Sequence, residues 1–125
     1  MKIMAIALMA AGVALCSSPL RAETESVEAD LKTLLERNFT MSEKEDMAGV
    51  LATIHPQSPA YDVTEDTLRP LFEKYDLSFD LLSFTYIGRD DGYAVARTKQ
   101  KTSKVKGGDF TDNTIDSIYI FRRSD

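Results

Sequence analysis

The chain has 125 residues, 43% of them hydrophobic and 28% charged, with a formal net charge of −5, which is enough for one domain with its own core. The negative balance opposes general binding to nucleic acid or anionic lipid and suits a neutral ligand or a basic protein surface. One cysteine and one histidine exclude a disulfide framework, a thiolate metal site and a histidine cluster, so no metal and no cofactor are expected.

Residues 1–22 contain neither Asp nor Glu, and all 20 acidic residues follow from Glu23 onward. Lys2 supplies a basic start, Ile3 to Leu15 form an apolar run interrupted only by Gly12, and Ser17-Ser18-Pro19-Leu20-Arg21-Ala22 is a small-residue exit. That is the layout of a secretory signal peptide. The apolar run is well short of the roughly 20 residues that span a bilayer core, so a cleaved leader is expected rather than a stable membrane span. Acylation at Cys16 is disfavoured because Leu15 stands where lipoprotein processing wants a small residue. The expected product is residues 23–125, exported to the periplasm or the medium, with no cysteine and with a charge of −7 once Lys2 and Arg21 are gone.

Val27, Leu31, Leu34, Leu35 and Phe39 make one apolar stripe, which predicts a first helix from about Glu25 to Asn38. Ser42 with Glu45 reads as a capping box for a second, short helix carrying Met47, Val50, Leu51 and Ile54, which Pro56 ends. His55 to Asp62 reads as a loop, and Thr64 as the cap of a third helix with Leu68, Leu71, Phe72 and Tyr75 on its apolar face. Pro70 predicts a kink or a late start in that helix.

From Leu77 the period becomes two. Phe79 and Leu81 share one parity and Leu82, Phe84 and Tyr86 the other, so a β-bulge is expected near Leu81 and Leu82. Asp90-Asp91-Gly92 and Lys106-Gly107-Gly108-Asp109 read as hairpin turns, with strands at Tyr93 to Val105 and Phe110 to Arg122. The fold class is α+β, three N-terminal helices packed on a curved antiparallel sheet.

This order, together with the loop His55-Pro56-Gln57-Ser58-Pro59-Ala60-Tyr61, the helix Leu68 to Leu77 and the strand Gly92-Tyr93-Ala94-Val95-Ala96-Arg97, resembles the nuclear transport factor 2-like superfamily and within it the SnoaL-like group of small secreted bacterial proteins. The resemblance implies that residues 23–125 form a cone-shaped, cystatin-like roll, often dimeric, around an apolar cavity. It also implies one more strand after Arg122, which is missing here. The last strand would then have a bare outer edge beside Ile118 and Ile120, to be covered by a further strand or by a homodimer through the sheet.

Among chemistry-bearing residues, His55, Tyr61 and Asp62 converge in one loop, and Tyr86 and Tyr119 share strand parity with Phe84 and Phe121. These five are the candidate ligand-binding residues; structural roles as cap, loop and core residues compete for each. No catalytic residue is assigned, because the first helix lacks the tyrosine that serves the isomerases of that superfamily as oxyanion donor. Arg97, Lys99 and Lys101 form a basic stripe, read as protection of an exposed strand face or as a docking site for an acidic partner. The expectation is an exported, non-enzymatic domain that binds a small apolar ligand or a protein partner, with an isomerase or polyketide-cyclase-type enzyme as the alternative.

Overall fold

A computed structural model describes residues 1–8 and 21–123. In chain order it contains β1 (Lys2–Leu8), α1 (Arg21–Glu43), α2 (Met47–Leu51), α3 (Ala60–Lys74), β2 (Tyr75–Asp90), β3 (Tyr93–Gly107) and β4 (Asn113–Arg122). The strands form one antiparallel sheet in the order β1-β4-β3-β2, so the α+β expectation of three helices before an antiparallel meander holds.

α1 buries Leu31, Leu35 and Phe39, spaced four apart on its inward stripe, with Val27 and Leu34 alongside. It runs past Asn38 to Glu43, because Ser42 is not a cap. Its hydroxyl donates to Asn38 O at 2.9 Å inside the last turn. Asp46 caps α2 instead, accepting from Gly49 N at 3.0 Å, after a turn in which Glu45 takes a φ of 58°. α3 also starts earlier than expected. The Ser58 hydroxyl accepts from Ala60 N at 3.0 Å, which satisfies a donor of the first turn, and the helix then runs on through Pro70.

The bulge expected from the parity slip is present, since the β2–β3 register jumps between Leu81 and Ser83 and turns Leu82 out to 53% exposure. Further shifts between Asp76 and Leu77 and between Tyr86 and Gly88 add bends that the alternation did not show. The β2–β3 turn is tight because Asp91 and Gly92 both take positive φ, 47° and 82°, as a two-residue hairpin loop requires. At the far end Gly107 has a φ of 127°, and a Cβ there would lie 2.5 Å from Lys74 O, so only glycine fits where β3 passes the α3–β2 junction.

The inner sheet face carries Phe79, Leu81, Phe84 and Tyr86 of β2, Ala94, Ala96 and Thr98 of β3, and Ser117, Tyr119 and Phe121 of β4. With Leu31, Leu35, Phe39, Val50 and Ile54 of the helical layer they form the core. In the 125-residue chain the outer edge of β4 is not bare, because it pairs with Lys2–Leu8; the bare edge expected of residues 23–125 concerns a chain without that strand.

Candidate functional site

β1 belongs to the segment read as a leader, and it occupies a slot bounded on two sides. On one side it pairs with β4, in the register Ala5↔Ile120 and Ala7↔Ile118. On the other, Ile3 N donates to Thr53 O at 3.0 Å, His55 N donates to Ile3 O at 2.9 Å, and the Ser58 hydroxyl donates to Met4 O. The Ile3 side chain, 1% exposed, enters the core formed with Leu31, Leu35, Ile54 and Phe121. Ile6 remains 45% exposed, so a single residue anchors this strand among those whose side chains are described.

The sheet face opposite the core has no helix packed on it among the described residues. It presents Val95, Ile118 and Ile120, each half-buried, beside Arg97, Lys99, Asp116, Tyr93 and Arg122. Arg97 Nε stands 3.9 Å from Asp116 Oδ1, and the Arg122 guanidinium lies 5.8 Å from the Tyr93 ring centroid. The basic stripe read from Arg97, Lys99 and Lys101 is therefore partly neutralised by β4. The surface mixes apolar, aromatic and arginine groups in the manner of a protein interface rather than of an anion track.

The five candidate residues do not form one pocket. His55 holds β1 through its main chain, while its Nδ1 accepts from Gln57 N at 3.2 Å. Tyr61 packs its ring against the core and Asp62 is exposed; both sit in the first turn of α3, where the carboxylate suits the helix dipole, and not in a loop. Tyr86 and Tyr119 do share the inner face, both paired across the sheet with Ala96. Burial pushes the pKa of each phenol up, and for Tyr86 the Arg89 charge opposes the shift. Tyr119, 4% exposed, donates its hydroxyl to Gln100 Oε1 at 2.7 Å and stacks on Phe121, the geometry of a satisfied core aromatic. A cleft of about 150 Å³ between Met1, Val27, Leu31, Leu34 and Arg89 contains none of the five.

Residues 33–125 match the family described as the C-terminal domain of anti-sigma-I factor RsgI9. The chain belongs to this family. No curated protein matches it. The RsgI9 C-terminal domain family overturns the resemblance to the nuclear transport factor 2-like superfamily and its SnoaL-like group. That resemblance rested on the order of elements and on short phrases around Leu68–Leu77 and Gly92–Arg97, features that describe a helix-then-meander layout and no particular chemistry. A domain of an anti-sigma factor has a regulatory role, so binding of a small apolar ligand, the isomerase or cyclase alternative and the SnoaL-like description all fall with it. Among the described residues no helix is long and apolar enough to cross a membrane.

The strand slot was hard to read from side-chain patterns, since it is built mainly from the backbone Thr53 O and His55 N, with the Ser58 hydroxyl, and from an edge of β4. The signal that pointed to it was the apolar edge at Ile118 and Ile120, which needed a cover.

Proposed function

We propose that this domain works by recognising a protein, as the regulatory part of an anti-sigma-type system, and that it does so outside the cytoplasm after residues 1–22 are removed. The family supports a protein partner, and the acid-free, apolar start of the chain supports export. The observation that carries the reading is the sheet face bearing Val95, Ile118 and Ile120, framed by Tyr93, Arg97 and Arg122. In this reading the bulges of β2 and β3 curve the sheet into a roll whose concave side holds the helices and whose convex side meets the partner, a second copy of the chain being the simplest competitor for that side.

One observation favours a second reading. Ile3 is buried in the core, so a chain that keeps residues 1–22 would remain inside the cell, where direct contact with a sigma factor is available. Both readings are tested by placing a photo-cross-linker at Val95 or Ile118 in the native host, fractionating the cells and identifying the adduct. A cross-linked protein on a chain that starts near Glu23 supports the proposal. A sigma factor on a full-length cytoplasmic chain supports the second reading, and a chain that cross-links to no protein in either compartment contradicts both.

A further inference from the structure

Building on the protein-recognition reading, and on residues 1–22 being a leader, we propose that the space held by Lys2–Leu8 is a strand-accepting slot. In the exported protein it takes a lone, extended, apolar segment of the partner protein, running antiparallel to β4. Removing the leader would vacate three things together. The outward N–H and C=O groups of β4 at Ile118 and Ile120 would lose their pairing, Thr53 O and His55 N would lose Ile3, and the core would lose the side chain that now fills it. Unpaired strand edges are templates for strand addition, and here a side-chain socket adds specificity.

The two-sided boundary decides what can enter. At Ile3 the occupant is held by Thr53 and His55 on the edge that faces away from β4, while at Ala5 and Ala7 it pairs with β4. A strand already in a sheet has one edge in use. β4 of a second copy is paired with its own β3 and cannot satisfy both walls, so the occupant must be a segment outside any sheet. Its chemistry is read from the present occupant: an isoleucine-sized side chain for the socket, small residues beside Ile118 and Ile120, and no acid among its residues. A carboxylate in the socket would be buried with no counter-charge, which excludes acidic segments.

The test uses the full chain. A specific protease site is inserted within residues 9–20, the folded protein is cut, and a fluorescent peptide Lys-Ile-Met-Ala-Ile-Ala-Leu is added, with an Ile3→Asp peptide as comparison. The slot predicts saturable uptake of one labelled peptide per chain, and affinity weaker by more than about tenfold for the Asp peptide. A cut chain that keeps its own fragment and takes up no label overturns the proposal, as does one that loses the fragment and dimerises, or equal binding of the two peptides. The partner recovered by cross-linking should then displace the label. A partner that binds the sheet face and leaves the label in place overturns its assignment to the slot and leaves protein recognition standing.

Discussion

β1 and β4 are hydrogen-bonded neighbours, yet they are built on different rules. β4 alternates, with Ser117, Tyr119 and Phe121 turned into the core and Asp116, Ile118, Ile120 and Arg122 turned out. Its pairing with β3 runs unbroken for ten residues. β1 follows Lys2 with an apolar run that has no period, includes alanines of low strand propensity, and breaks register between Ile3 and Ala5. A strand like β4 is specified by its own sequence, whereas one like β1 is specified by the edge and socket that receive it. Among the described side chains β1 buries one, Ile3, where β4 buries Ser117, Tyr119 and Phe121, so β1 docks less securely than β4.

The largest expected effect is on β4. Phe121→Ala should cost about 3–5 kcal/mol in denaturant unfolding, since a fully buried ring in a shared core leaves a cavity. Ile3→Ala should cost less, about 2 kcal/mol, although Ile3 is as deeply buried. The loss there is capped by the docking energy of β1, because a weakened strand detaches instead of holding a cavity open. Equal costs at the two sites would break the distinction between the strands.

Tyr119→Phe is expected to cost about 1 kcal/mol at neutral pH by leaving Gln100 Oε1 without its donor. It also has a pH signature with a fixed sign. Burial raises the Tyr119 pKa above the ordinary value near 10, so the unfolded chain releases this proton first. The stability that depends on the neutral hydroxyl is present in full below about pH 10 and falls as the pH rises beyond it. The Phe variant should show a shallower alkaline loss, measured by thermal melts between neutral pH and pH 11. An unchanged alkaline limb would mean that β4 is not packed as described. The smallest effect belongs to the bulge: Leu82→Ser should change stability by less than about 0.5 kcal/mol, because this residue is unpaired and mostly exposed, while its neighbour Leu81 packs on the core.

These contrasts also mark what the sequence made legible. The break in parity at Leu81 and Leu82 could be read directly, because strand alternation has a strict period of two and a slip has one structural meaning. Asp91-Gly92 was legible because positive φ at two adjacent positions demands such residues. The ends of α1 and α3 were misread where a local signal had two uses: Ser42 bonds backward into its helix, and Ser58, not Thr64, satisfies the start of α3. β1 escaped because an apolar run without period serves equally as the core of a leader and as a strand. Of the candidate site, strand parity grouped Tyr86 with Phe84 and Tyr119 with Phe121, and the structure turns all four to the inner face, but His55 acts mainly through its backbone, which no side-chain pattern announces.

Amide hydrogen exchange at four β4 positions shows whether residues 2–8 fill a strand slot on the β4 edge. Because Ile3 turns its backbone groups toward Thr53 and His55, the amides of Ile118 and Ile120 face β1, and those of Tyr119 and Phe121 face β3. In the intact chain all four should be protected. After cleavage within residues 9–20 and dilution, Ile118 and Ile120 should exchange quickly, Tyr119 and Phe121 should stay slow, and adding the Lys2–Leu8 peptide should restore the first pair. Fast exchange at Ile118 and Ile120 in the intact chain, or protection there that survives loss of the fragment, would contradict the account.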